Sequence, residues 1–166
     1  MSGARQVRAL RADERGWLAE HLRLAWGSST IVGRGRARDA SQLPAIVCTE
    51  GEELLGLATF EIAGGVCELV TIEAFRRREG IGTALLGAVL EQARGRGCNR
   101  LLVVTTNDNL VAQRFYERHG LTLVAIHRGA VDEARALKPE IALVSEDGTP
   151  IHDELEMELR LDDRAP

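Results

Sequence analysis

Residues 68–83, ELVTIEAFRRREGIGT, constrain this chain more than any other stretch. Leu69, Val70, Thr71 and Ile72 form a β-prone apolar run, three arginines follow at once, and Gly80-Ile81-Gly82-Thr83 opens a helix. Ile81, Leu85, Leu86, Val89, Leu90 and Ala93 recur at the helical period before Gly95 and Gly97 stop it. A dense apolar strand at 100–106 comes next, so the spacing predicts a right-handed β-α-β crossover with parallel strands. The turn in this unit suits an anion. The first N–H groups of a helix lack partners inside it, and the helix dipole adds partial positive charge there. Glycines at 80 and 82 let a phosphate approach those groups, and Arg77 and Arg78 add forked donors.

Two familiar phosphate motifs do not fit. A P-loop needs Gly-Lys-Ser/Thr, and Gly82-Thr83 has no lysine between. A dinucleotide fingerprint needs a third glycine where Leu85 stands. Residues 77–82, RREGIG, instead resemble the Q/R-x-x-G-x-G/A signature of the GNAT superfamily of N-acetyltransferases. A second segment is similar to the same family's N-x-x-A-x-x-x-Y-x-x-x-G pattern, with Asn109, Ala112, Tyr116 and Gly120 in place. The resemblance is strong over residues 66–126 and loose outside them. The plain alternative for residues 77–82 is a glycine-containing helix start beside a solvated arginine cluster.

Elsewhere the pattern predicts one mixed α/β domain over residues 1–166. A weak strand lies near 7–10, and Asp13 is the expected N-cap of a helix running to Trp26. Residues 27–43 read as a Gly/Ser/Arg-rich loop with a helical turn near its end. Strands are expected at 44–50 and 53–63, joined at Glu50-Gly51-Glu52. A helix capped at 107–109, a strand at 121–126, a short helix at 131–137 and an alternating last strand at 151–161 complete the chain. In that last strand Leu155, Met157, Leu159 and Leu161 share one face and Glu154, Glu156, Glu158 and Arg160 the other. The expected fold is α/β (α+β), GNAT-like: a mixed, mostly antiparallel sheet of six to seven strands flanked by helices.

Charge is unevenly distributed behind a net −4: residues 44–75 carry no Lys or Arg, whereas 131–166 carry eleven acidic and four basic residues. Without a continuous basic stripe, nucleic acid is not expected as a partner. No apolar run approaches the ~20 residues of a membrane helix, and residues 1–10 lack the apolar stretch of a signal peptide. Cys48, Cys67 and Cys98 show no metal-ligand spacing and are expected as reduced thiols in a cytoplasmic protein.

The resemblance implies acetyl-CoA as cosubstrate, no metal, a small-molecule or protein amine as acceptor, and is compatible with a homodimer. It places the pantetheine arm along the backbone of Val70, Thr71 and Ile72, with a Val70 N–H toward the thioester carbonyl. It places the pyrophosphate at Arg77, Arg78, Gly80, Ile81, Gly82 and Thr83, and brings Asn109 to the pantetheine or thioester region. Tyr116 becomes the acid that protonates the departing sulfur; without the resemblance, a tyrosine on an apolar helix face reads as core with a satisfied hydroxyl. Glu68, taken to alternate with Val70 and Ile72 on one side, is a candidate base, with Glu73, Glu61 and a water-mediated route as competitors. A longer acyl-CoA, an oxygen acceptor, or a CoA-binding regulatory module without turnover remain alternatives. The acceptor is expected between residues 26–43 and 128–152, where Arg34, Arg36 and Arg38 and several carboxylates favour an amino-acid-like amine over a polyamine.

Overall fold

The computed structural model describes residues 3–162. In chain order its elements are β1 (Arg5–Ala9), α1 (Arg15–Trp26), β2 (Thr30–Gly33), β3 (Arg36–Asp39), β4 (Ala45–Glu50), β5 (Glu53–Ala63) and β6 (Val66–Ala74). Then come α2 (Ile81–Gly95), β7 (Arg100–Thr106), α3 (Leu110–Arg118), β8 (Thr122–His127), α4 (Ala130–Leu137) and β9 (Glu154–Arg160). Seven strands form one sheet in the order β1-β4-β5-β6-β7-β9-β8, and β2 pairs with β3 apart from it. Only β6 and β7, joined through α2, run parallel. The sheet is therefore mostly antiparallel with one β-α-β unit at its centre.

Period-two alternation gives the sheet two apolar faces, and each is covered. Ile46, Leu55, Phe60, Leu69, Leu101, Val103 and Met157 meet Ile81, Leu85, Leu86 and Val89 of α2 and Tyr116 of α3. On the other face Val47 and Leu57 meet Leu18 and Leu22 of α1 and Ala40. Each fully buried Leu or Ile contributes about 1.5–3 kcal/mol. Close docking of α2 depends on one residue of β5. A Cβ at Gly56 would lie 2.6 Å from Glu73 O and 2.8 Å from Ile81 Cγ2, so only glycine lets the first turn of α2 settle there.

Four expectations need correction. Residues 27–43 are not a loop: Thr30-Ile31-Val32 supplies a short strand, and Arg34 (φ 54°) and Gly35 (φ 71°) form the tight turn into β3. Asp13 does not cap α1, because Ala12–Glu14 form a 3₁₀ turn and the helix starts at Arg15. Glu14 organises that turn: it accepts from the Arg11 N–H at 2.8 Å and receives both terminal nitrogens of Arg8 at 2.8 and 2.9 Å. Glu154 is not on a solvated face, since β9 lies between β7 and β8 and the carboxylate is buried beneath the β2–β3 turn.

The fourth correction concerns β6. Thr59 pairs with Thr71 and Phe60 pairs with Leu69, so Val70 is an extra residue in the ladder. Glu68, Val70 and Ile72 thus do not share a side. Val70 packs with the α1-side core, and Ile72 packs with the α2-side core. A bulge adds one residue to one strand only and reverses the alternation beyond it.

Candidate active site

The bulge coincides with a parting of strands. Parallel pairing of β6 and β7 runs from Val66↔Arg100 to Leu69↔Val103 and stops. Beyond it β6 stays with β5 as far as Ala74↔Gly56, while β7 stays with β9 as far as Thr106↔Glu154. Residues 70–72 therefore present one strand edge to an opening in the sheet rather than to β7. Such an edge is a template for an extended, amide-bearing ligand.

The same strand leads into the arginine turn, and the turn sorts its three arginines. Arg76 is engaged by Glu53 at 2.6 Å, with Glu50 at 3.8 Å and Glu79 at 3.9 Å. Arg77 and Arg78 are exposed and have no ion-pair partner among the described residues. Arg78 holds φ 61° and Gly80 φ 73°, both left-handed. For a non-glycine residue this costs about 1–2 kcal/mol, a strain that clusters at functional turns. Space around Gly80 is open, whereas a Cβ at Gly82 would stand 3.2 Å from the Phe115 ring. Gly82 thereby lets α3 come against the first turn of α2.

His119 makes the same junction. Its Nδ1 lies 2.7 Å from Phe115 O and its Nε2 lies 3.0 Å from Thr83 Oγ1. A carbonyl only accepts, so in the neutral ring Nδ1 carries the hydrogen and the Thr83 hydroxyl donates to Nε2. Thr83 is left with its main-chain N–H for an anion at the helix end. Asn109 caps α3 by accepting from the Ala112 N–H at 3.1 Å through Oδ1, which leaves Nδ2 as its free donor. Tyr116, one turn before His119, is 5% exposed and sits edge-on to Phe115. Burial alone pushes its phenol above the ordinary value, so it stays protonated across the working pH range.

On the opposite side of β6 lies a cleft of about 260 Å³ lined by the β2–β3 hairpin, Glu61, Ala63, Val66 and Glu68. Its centre is Arg38, whose side chain is only 8% exposed. Arg38 donates through Nη2 to Glu68 Oε1 at 2.8 Å and through Nη1 to Glu61 Oε2 at 3.1 Å. Burial pulls the guanidinium pKa down, but these carboxylate bonds outweigh it and leave it raised. Arg36 also donates to Glu61 Oε2. Arg34 gives its main-chain N–H to Glu154 at 3.1 Å, and its guanidinium forms ion pairs with Glu156 Oε1 at 3.2 Å and Glu68 Oε2 at 3.6 Å. Glu156 in turn meets His127 Nε2 at 3.1 Å. Of the competing carboxylates, Glu73 is bonded to His21, which stacks on Trp17.

Arg38 lies in a segment whose composition reads as a loop, and nothing in the sequence singles out Lys138. Lys138 is buried and donates to Thr30 O at 2.7 Å, tying the end of α4 to β2, and burial lowers its pKa. No local signal marks either residue, because both partners lie far away in the chain. Among the described residues no helix is long and apolar enough to cross a membrane, and no group of three or more His, Cys, Asp or Glu side chains is placed to hold a metal ion.

Parted central strands, a bulge at the parting and a glycine-opened helix at its end agree with a sequence profile. That of the Acetyltransferase (GNAT) family matches residues 7–121. The chain belongs to this family. Two Bacillus subtilis (strain 168) proteins are relatives, both uncharacterized. YdhI is 42% identical over 106 residues, 64% of this chain and 66% of its own length. YxbD is 34% identical over 131 residues, 78% of this chain and 82% of its own. Among solved GNAT folds, an IAA acetyltransferase from Bacillus cereus ATCC 14579 superposes with TM-score 0.74 at 20% identity, covering 95% of this chain and 100% of that one. A GNAT family acetyltransferase from Elizabethkingia anophelis, solved with acetyl-CoA bound, gives TM-score 0.68 at 15% identity, covering 95% and 98%. This chain therefore has the GNAT fold, with its β-α-β unit at the centre of the superposed domain.

Proposed function

We propose that this protein transfers the acetyl group of acetyl-CoA directly to a primary amine. The observation that carries the reading is the end of β6–β7 pairing at Leu69, one residue before the bulge and one strand-length before the anion-suited turn. A long thioester with a diphosphate matches that geometry: amides along residues 70–72, phosphates at the unpaired Arg77 and Arg78 and the first N–H groups of α2. The cosubstrate supplies an already activated acyl group, so positioning contributes much of the rate.

The chain's own groups then have defined roles. The bulged Val70 directs its N–H toward the thioester oxygen, where negative charge develops. Glu68 keeps Oε1 on Arg38, while Oε2, 3.6 Å from Arg34, lies beyond hydrogen-bond reach of it and can take the amine proton directly or through water. Tyr116, held neutral by burial, returns a proton to the departing sulfur. Asn109 donates through Nδ2 to the pantetheine region.

Thiol release from acetyl-CoA in the presence of an amine panel tests the reading. Turnover with at least one amine is the expected result; tight CoA binding with no release for any amine would identify a binding module instead. Arg77→Glu should weaken CoA binding about tenfold by calorimetry without changing the melting temperature, since Arg77 is exposed and has no ion-pair partner among the described residues.

A further inference from the structure

The cleft beneath the β2–β3 hairpin has an excess of donors. Three guanidiniums line it against two carboxylates. The carboxylates are shared: Glu61 Oε2 accepts from both Arg36 and Arg38, and Glu68 Oε1 accepts from Arg38. Arg38 Nε is sealed from solvent and has no hydrogen-bond partner at all. An orphaned buried N–H on a charged group is costly, and native proteins rarely retain one without a reason. Arg36 is in the opposite condition, with 58% of its side chain exposed and its remaining N–H groups open. One wall of the cleft therefore holds a buried guanidinium short of acceptors, reachable only through the second N–H of its terminal nitrogens, beside an accessible guanidinium with capacity to spare. The group that completes such a wall is an acceptor-only anion.

Three further observations narrow its class. Glu61 and Glu68 stand in the same wall, so a dianionic phosphate would be repelled by both about twice as strongly as a monoanionic carboxylate. The cleft volume of about 260 Å³ lies below the roughly 300–1,000 Å³ of drug-sized pockets, which suits a small molecule rather than a folded partner. At the far side Arg34 spans Glu68 and Glu156, which places carboxylates where an amine would arrive. The arginine turn at φ 54° fixes this span, because the Arg34 main-chain N–H is itself held by Glu154.

We infer that the acceptor is a small amino-acid-like amine whose carboxylate is received by Arg36 and Arg38 while its amino group faces Glu68. The inference rests on the acetyltransferase reading for the amine's fate, but carboxylate recognition does not need turnover. The arrangement also explains the arginine–glutamate network, which holds Glu68 in place until the ligand's carboxylate joins the same guanidiniums. Selectivity then comes from the hairpin and not from the cofactor strand.

Calorimetry on the CoA-saturated protein, with the common L-amino acids and their carboxamides, tests this directly, and thiol release from acetyl-CoA is followed in parallel. At least one amino acid should bind about 10- to 100-fold more tightly than its carboxamide. Arg36→Gln, at an exposed position that leaves the fold intact by circular dichroism, should bring that ratio close to one with CoA affinity unchanged. Equal affinity for acid and amide, no binding by any amino acid, or stronger binding of the matching aminophosphonate would each overturn the inference. A carboxylate preference without acetyl transfer would leave it standing and overturn the transfer reading instead.

Discussion

The two sides of β6 are built in different ways. Toward α2 and α3 the site is mostly main chain: a strand edge at residues 70–72 and the first N–H groups of a helix, with open space around Gly80. Toward the β2–β3 hairpin it is side-chain charge, with Arg34, Arg36 and Arg38 set among Glu61, Glu68, Glu154 and Glu156. Main-chain recognition is rigid and tolerant of sequence, which suits a ligand common to a whole family. Charge recognition is specified residue by residue and can be retuned by single substitutions, which suits the variable acceptor.

Glu68→Gln gives the most severe test of this division. With Glu68 as the proposed base, its loss should lower kcat/KM by about a hundredfold or more, with CoA affinity unchanged. A comparable loss of CoA affinity would show that the two sides are not separable. Tyr116→Phe tests the other side, because it deletes only the hydroxyl of a ring already packed in the core. With chemistry rate-limiting, kcat and kcat/KM should fall together. An unchanged kcat would return Tyr116 to a purely structural role.

Gly56→Ala acts on the frame between the two sides. Its Cβ would strike Glu73 O and Ile81 Cγ2, so an unfolding midpoint should report a loss of about 1–3 kcal/mol. CoA binding should weaken as the start of α2 shifts. Stability retained in full would mean that α2 can withdraw from β5 without consequence.

The smallest effect is expected from Glu14, on the α1 side. Its carboxyl is lowered from an ordinary 4.5 to about 2, first by the bonds from Arg8. A depressed carboxylate stabilises the fold above its unfolded value, and that contribution is lost as pH falls from about 4.5 toward 2. Glu14→Gln should therefore cost on the order of 1 kcal/mol at pH 7, read from thermal unfolding. The gap between the two proteins should narrow as pH falls from about 4.5 and be mostly gone at about pH 2. A gap undiminished at pH 2 would assign the effect to packing.

Much of the cofactor side was legible in the sequence, for a physical reason. Leu69 to Ile72, the helical spacing from Ile81 to Ala93 and the strand at Arg100–Thr106 are local periodicities, and the glycines of the turn mark places where side chains are excluded. The hairpin escaped because its strands have four residues each and its turn uses Arg34 where Asn or Gly is the usual signal. Arg38 was readable only as a loop arginine, since its burial depends on Glu61 and Glu68, more than twenty residues later. Glu154 looked like a surface residue because alternation cannot report that the β2–β3 turn covers its face. The bulge left no trace at all. LVTI reads as a regular strand, and nothing in four apolar or β-branched residues says that one of them is supernumerary.

That single supernumerary residue acts on the strand as a phase shift acts on a wave. Upstream of Val70 the odd-numbered positions Cys67 and Leu69 face the helices; downstream it is the even-numbered Ile72 that does so, and Glu73 reaches back to His21 of α1. Deleting Val70 would make Thr59↔Thr71 and Phe60↔Leu69 successive pairs, so the remaining side chains would keep their faces and the strand would lose only its bulge. Glu68 would still line the polar cleft and Cys67 and Leu69 the apolar layer under α2, but all three would stand one residue nearer to the turn at Arg77. The spacing between the acceptor's carboxylate partner and the cofactor's strand edge is thus stored in a count of residues, one more on β6 than on β5.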